Sequence, residues 1–474
     1  MRRSMVLAPL LLAGMAGACS SADSGTIQIL TTNADTFTGP PAVATLTVLA
    51  IDTSGDPPTM LATGPISAAT IDLGQQNESE VAALQVTGAD ANGVELVSGA
   101  SLPVEFGELT GVSLPIFVQR VGQLVPLPPG PQGDARQAPT IAQFEGQYLF
   151  IGGGSDPSLA ATSQIYDFAQ FALLPQPPTL PRVPLSVAFV GTVALLIDGS
   201  GSATYFDFSD NSSTEATDLA GGSFADVAGG TTVISDLGSE FIVGATRTGS
   251  PSRTVLEINP NDTSNANYPN GNLTWLFLTE IRQGAAAAWV SGFGLVVAGG
   301  STTASGAELF TLPSTSSTTT TGDVATSGKA LPFPPDPSVG AGATAVTSVS
   351  ASTVLLAGGI VSLADGGLSL QDAGVRIIDV GCPSNCSVIT WETALPEPIV
   401  SAQAFSLPSG GAPAFVVGND PLLGITHAFL LTTTAATEVP LNPQHMNATA
   451  TLSPVGSIVI VGGADDIQSF VPAP

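Results

Sequence analysis

RQAPTIAQFEGQYLFIGGGSDPSLAATSQIYDFAQFALLPQPPTLP, which runs from Arg136 to Pro181, decides the fold. It divides into four runs of strand length. PTIAQF is followed by the two-residue turn Glu145-Gly146 and then by QYLFIGG, which predicts a tight hairpin. QIYDF follows a loop. A last run, FALLP, ends in a proline cluster that cannot continue a hydrogen-bonded ladder. The same pattern returns six more times.

Aligning the copies on the glycine that closes the second strand gives Gly153, Gly199, Gly244, Gly299, Gly358, Gly418 and Gly462. The strands leading to these glycines are YLFIG, ALLID, EFIVG, LVVAG, VLLAG, AFVVG and IVIVG. A hairpin-turn glycine stands some seven places upstream, at Gly146, Gly191, Gly238, Gly292, Gly411 and Gly456; the fifth copy lacks it. Third strands follow as IYDF, TYFDF, VLEI, AELF, RIID, AFLL and IQSF. The copies lie 44 to 60 residues apart. That length suits a four-stranded blade and is too long for a leucine-rich or ankyrin repeat.

In these residues the chain resembles a kelch-type β-propeller. IGGG with IYD in the first copy, AGGS in the fourth, AGGI with IID and WETALPEP in the fifth, and VVGG in the last match the family pattern. The third and sixth copies lack the double glycine, and Trp stands in the fourth strand only at Trp275 and Trp391. The resemblance implies fold and says little about activity, because propellers host many unrelated functions. The last copy stops after its third strand, which would leave an open sheet edge. GQLVPLPPGP, just before the first copy, is a fourth strand with no blade of its own. Pairing this 122–128 segment, Gln123–Leu127 within it, beside Ile467–Phe470 closes a seven-bladed ring. A six-bladed ring, with one copy an insertion, ranks second.

Upstream of the repeats, TIQILTT, ATLTVLAID, ISAATIDLG, VAALQVTGA, GVELVSG and LPVEFGEL are β-branched runs separated by Gly, Pro and Asn-Asp clusters. They predict a β-sandwich over residues 26–115, immunoglobulin-like or carboxypeptidase-regulatory-like, acting as a spacer for the propeller over 116–474. The fold class expected is therefore all-β. Residues 1–18 read as a secretory leader: Arg2-Arg3, a short apolar run, then small residues. Ala16-Gly17-Ala18 before Cys19 resembles a bacterial lipobox, with Cys19 the lipidated residue and 19–25 a flexible linker. Ala16-x-Ala18 also suits ordinary signal peptidase. Ser20 after the cysteine resembles signals sent on to the outer membrane, so an outer-membrane lipoprotein or periplasmic protein is expected.

The 474 residues carry 10 basic and 38 acidic side chains, for a net charge of −28. Losing Arg2 and Arg3 with the leader makes it −30. Such a surface excludes nucleic acid as a partner and leaves the N-terminal lipid as the one route to a membrane. Past Cys19, Cys382 and Cys386 remain, in GCPSNC. A metal or redox pair is one reading; two thiols without a neighbouring histidine cannot complete a closed metal site, and a disulfide in an oxidising compartment is the one adopted.

The two histidines, His427 and His445, sit in different copies, and no G-x-S-x-G elbow exists. Neither a hydrolase triad nor a copper site is supported, and no cofactor or metal is expected. The oxygen-rich Asn261–Asn267 loop fails EF-hand spacing and reads as a solvated loop. One pattern stands out. Seventeen residues before the marker glycines lie Arg136, Arg182 and Arg282, and at the same offset His445; the other copies have Val227, Ala341 and Ser401 there. Three of the eight mature basic residues thus share one structural position. Gathered at the mouth of a central channel, they would focus positive potential and bind a carboxylate or sulfate. The competing reading is that each ties its blade to the preceding one through main-chain carbonyls. The function expected is a non-catalytic, lipid-anchored propeller that binds a glycan or protein. The alternative is a periplasmic lyase or epimerase acting on an acidic sugar at the channel mouth.

Overall fold

The computed structural model describes residues 25–52, 57–64, 70–74, 76–130, 135–218, 220–247, 250–260, 272–300, 306–312, 325–331, 345–350, 352–358, 361–362, 368–369, 374–382, 388–407 and 414–474. The leader, Cys19, Cys386 and the Asn261–Asn267 loop lie outside them. Among the described residues every regular element is a strand or a single 3₁₀ turn.

Seven sheets of four strands follow one another along the chain among the described residues. Sheet 1 comprises Pro139–Phe144, Tyr148–Gly153, Gln164–Asp167 and Ala172–Leu173. Sheet 2 comprises Ser186–Val190, Val193–Ile197, Ala203–Asp207 and Ser212–Ala216. Sheet 3 is Thr231–Ile234, Glu240–Val243, Ser252–Asn259 and Asn272–Arg282. Sheet 4 is Ala286–Val290, Gly294–Ala298, Ala307–Thr311 and Lys329–Ala330. Sheet 5 takes Ala345–Ser350, Thr353–Ala357, Gly374–Asp379 and Val388–Ala394. Sheet 6 takes Val400–Ser406, Ala414–Asn419, Thr426–Leu431 and Ala436–Glu438. Sheet 7 has Thr449–Leu452, Ile458–Val461 and Ile467–Phe470, and its fourth strand is Leu124–Pro126. Neighbouring strands are antiparallel throughout these sheets. Each first strand touches the first strand of the next sheet, and that of sheet 7 touches that of sheet 1. The architecture is a β-propeller.

Because each sheet is covered on both faces by its neighbours, its middle strands read as unbroken apolar runs. Val193–Ile197 and Ile458–Val461 are buried at every position. Aromatic rings fill the gap between sheets 1 and 2, where Phe144 stacks on Phe189 with centroids 4.5 Å apart. Glu145 and Gly146 have φ of 51° and 62°, the left-handed pair that a two-residue hairpin turn demands. The marker glycines Gly153 and Gly462 share that left-handed backbone, with φ of 63° and 101°, and are crowded as well. A Cβ on Gly153 would sit 2.4 Å from Pro184 O, and one on Gly462 would sit 2.6 Å from Pro139 Cδ. Both stand where the chain of the following sheet passes against them.

The N-terminal residues form a five-stranded sheet, Thr59–Gly64, Thr45–Asp52, Val81–Ala89, Glu95–Glu105 and Gln119–Arg120 in spatial order. A three-stranded sheet, Thr70–Asp72, Thr26–Leu30 and Ser113–Phe117, shares its core. Ile27, Ile71 and Ile116 of the smaller sheet pack with Val48, Leu84 and Val86 of the larger. This N-terminal domain also packs against the repeats. Its Phe117 and Leu30 join a single core with Val125, Leu127, Val459 and Ile467 around sheet 7, and with Leu149, Ile151 and Tyr166 of sheet 1.

Candidate functional site

The four residues that share the offset of seventeen stand where the chain approaches the first strand of sheets 1, 2, 4 and 7. Arg136 is buried, and its Nη1 donates to Gly153 O at 3.3 Å and Thr162 O at 3.0 Å, while Nη2 donates to Thr162 Oγ1 at 2.9 Å. Its own carbonyl accepts from Gly463 N of sheet 7 at 2.8 Å. Arg282 is fully buried; Nη1 donates to Gly299 O at 2.8 Å, and Nε and Nη2 reach Glu308 Oε1 at 3.2 and 3.1 Å. His445 is fully buried with Nδ1 2.6 Å from Gly462 O. The acceptor is the marker glycine seventeen residues on in all three. Arg182 differs: Nη1 pairs with Asp198 at 2.7 Å, Nη2 with the exposed Glu215 at 2.6 Å, and Nε donates to Thr204 Oγ1.

The offset has a simple origin. A first strand, a hairpin turn and a returning second strand bring the start and the end of that span to the same end of the sheet. A long side chain at the start therefore meets the carbonyl at the end. Arg282 also bridges sheets, because it lies on the last strand of sheet 3 and Glu308 lies on sheet 4. The Glu308 carboxylate, fully buried, accepts from Thr279 N and Oγ1, both at 2.7 Å, and from Glu280 N at 3.2 Å. Burial pulls the Arg282 guanidinium down from its ordinary value, and the adjacent Glu308 opposes that pull.

First strands of a propeller have one edge with no ladder partner, and its buried amides and carbonyls need other partners. Neighbouring sheets supply them. Glu240 of sheet 3 accepts from Phe189 N of sheet 2 at 3.0 Å, and Thr232 donates to Val187 O at 3.0 Å. Gln403 of sheet 6 accepts from Ala450 N of sheet 7 at 3.3 Å, and Gln143 of sheet 1 donates to Leu452 O of sheet 7. Asp236 holds Trp289 Nε1 at 2.7 Å across the join of sheets 3 and 4.

Two groupings carry no signal in the sequence. Glu240 is one, since its partner lies in the preceding copy. His427 is the other: Nδ1 is 2.8 Å from Glu438 and Nε2 is 3.2 Å from Glu397, with the ring stacked on Phe429. The glutamates lie in different segments, one leading into sheet 6 and one on its last strand. Elsewhere, Tyr166 is buried, its hydroxyl donates to Pro128 O at 2.7 Å, and burial with the nearby Asp167 charge pushes its phenol far up. Trp275 packs on Phe224 with centroids 5.7 Å apart. Cys382 is disulfide-bonded. No group of three or more His, Cys, Asp or Glu suited to a metal ion occurs among the described residues.

No family model matches the chain, and no curated protein matches it. Among solved structures, a chain of a mitotic checkpoint complex is 11% identical, covers 74% of this chain and 92% of its own length, and has a TM-score of 0.43. A chain of YCF48 bound to D1 peptide is 13% identical, covers 74% and 94%, and has a TM-score of 0.42. At these scores the fold rests on strand pairing and not on the likeness.

Two expected outcomes follow from this geometry. Arg282→Gln leaves Glu308 as a buried charge without its cation, a change that costs about 3–5 kcal/mol. Arg182→Gln, whose partners Asp198 and Glu215 are 22% and 75% exposed, costs less, about 1 kcal/mol. Urea unfolding of both variants checks the ranking; equal losses would contradict it. Burial pushes Glu240 up from 4.5 to about 8, against the opposing pull of the Phe189 amide. An acid raised in the fold keeps a proton that the unfolded chain releases, so its contribution is full below pH 4.5 and is lost as pH rises towards about 8. Glu240→Gln keeps an acceptor for Phe189 and cannot ionise. Its stability relative to the parent chain should rise between pH 5 and 8 by on the order of 3–5 kcal/mol. A difference independent of pH would refute the assignment.

Proposed function

We propose that this is a cell-envelope lipoprotein in which a seven-bladed, kelch-like propeller, backed by an N-terminal β-sandwich, presents a non-catalytic surface to a protein partner. The observation that carries the reading is where the reactive side chains are spent. Arg136 and Arg282 are bonded to carbonyls inside the sheets, His445 is sealed beneath the surface, and both nitrogens of His427 face glutamates. Under this reading the offset residues Arg136, Arg182, Arg282 and His445 hold the fold, not an anion. Arg120 and Arg247 follow suit, bonding to Pro41 O and Ser250 O. With Arg120, Arg136, Arg182, Arg247 and Arg282 bonded within the molecule, a chain of 38 acidic and 10 basic side chains shows its partners an acidic face. The partner fitting that face is a protein with a basic surface.

The anchor rests on Cys19 and the apolar run before it. Cys382 and Cys386 form the disulfide of the loop between the third and fourth strands of sheet 5. One experiment tests anchor and binding together. Cells carrying the parent chain or Cys19→Ala are fractionated, and the chain is captured with whatever it holds at low and high salt. The parent chain should stay with membranes and bear an acyl mass, while Cys19→Ala should move to the soluble fraction. A basic protein should come down with both and leave as salt screens the contact over ~8–10 Å. A parent chain without acyl mass overturns the anchor. Turnover of an acidic sugar by the purified chain overturns the non-catalytic reading.

A further inference from the structure

Sheet 7 differs from sheets 1 and 4 in one atom-level respect. In all three, the residue seventeen before the marker glycine bonds that glycine's carbonyl: Arg136 to Gly153 at 3.3 Å, Arg282 to Gly299 at 2.8 Å, His445 to Gly462 at 2.6 Å. A carbonyl only accepts, so Nδ1 of His445 carries a hydrogen. The other ring nitrogen, Nε2, lies 3.1 Å from Asp466 Oδ1, with both side chains buried. Their orientation falls short of a well-formed hydrogen bond, and neither atom has another protein partner. With one proton, the ring would set its lone pair against a carboxylate oxygen inside the protein. With two, it becomes a cation facing an anion, as Arg282 faces Glu308 in sheet 4 at 3.1 Å.

We propose that sheet 7 is locked by a histidinium–carboxylate pair, His445 with Asp466, which makes the closing sheet sensitive to protons where the arginine-locked sheets are not. Histidine is the side chain whose charge changes between pH 5 and 8, whereas arginine keeps its charge throughout. Asp466 is placed to transmit the change. It directly precedes Ile467–Phe470, the strand that pairs with Leu124–Pro126. Its Oδ2 accepts from Gln468 Nε2 at 2.5 Å, and the same amide reaches Asn442 O at 3.0 Å. Charged groups on the surrounding elements are directed elsewhere. Asp465 is exposed, Asp420 caps the amides of Leu422 and Leu423, and His427 faces Glu397 and Glu438. The Arg136 guanidinium, across the join, is bonded to Gly153 and Thr162.

The test uses amide hydrogen exchange on the full chain at pH 5.5 and 8.5, read as protection factors. Protection at Ile467–Phe470, Leu124 and Val125 should fall at least tenfold at the higher pH, relative to Ala307–Thr311 of sheet 4 in the same molecule. Asp466→Asn, which removes the anion, should abolish that relative fall. So should the triple variant His445→Arg, Asp466→Gly and Gln468→Glu, which rebuilds the sheet 4 arrangement of Arg282, Gly306 and Glu308 at the equivalent positions. If that variant does not fold, nitrogen-15 NMR of the parent chain decides the matter: both His445 ring nitrogens should carry hydrogen at pH 5.5. A neutral ring at that pH, or parallel changes in sheets 4 and 7, would overturn the proposal.

Discussion

The whole ring depends on three residues laid against three others. Leu124, Val125 and Pro126 pair with Phe470, Ser469 and Gln468, so a strand that precedes the repeats completes the sheet that ends them. A ladder so short supplies few hydrogen bonds, and its surroundings hold it. Leu127 N bonds Ile467 O and Gly122 N bonds Val471 O, both at 2.8 Å, extending the contact at each end. Thr32 donates to Pro126 O at 2.5 Å, Gln119 to Ser469 O at 3.1 Å and Tyr166 to Pro128 O at 2.7 Å. Burial of Val125 and Leu127 adds about 1.5–3 kcal/mol each. The N-terminal domain, the closing strand and sheet 1 are thus parts of one packing unit.

That arrangement governs how the chain spends its few cations. Sheets that face one another must satisfy polar main-chain groups where each first strand begins and along its free edge. A long donor with a permanent charge suits the first task, and Arg136 and Arg282 perform it on glycine carbonyls. Carboxyl and amide side chains suit the second, as the buried Glu240 and the half-buried Gln403 do on strand amides. The acids remaining at the surface then have few cations beside them.

Much of the fold was legible in the sequence. Short apolar runs, hairpin glycines and marker glycines announce four-stranded sheets, because each reports a local requirement. Glu145-Gly146 and Gly153 are the clearest cases, all left-handed, with Gly153 also held close to Pro184. The offset of seventeen was equally visible, but its purpose was not. Spacing places Arg136 and Gly153 at the same end of a sheet without telling whether the guanidinium turns inward to a carbonyl or outward to a channel. Glu240, Glu308 and the His427 pairings were hidden for another reason. Phe189 is 51 residues from Glu240, and Thr279 is 29 from Glu308, in neighbouring copies whose contacts depend on the assembled ring.

Closure by the N-terminal strand is tested most directly by a covalent bond across it. Val125 and Ser469 are direct antiparallel partners, and such pairs bring their Cβ atoms to about 4.5–5.5 Å. Val125→Cys with Ser469→Cys in the full chain should therefore oxidise to one cross-link, identified by peptide mass mapping. By tying so long a loop it should raise stability to denaturant by about 5 kcal/mol. Two thiols that stay free in the folded, oxidised protein would contradict the closed ring.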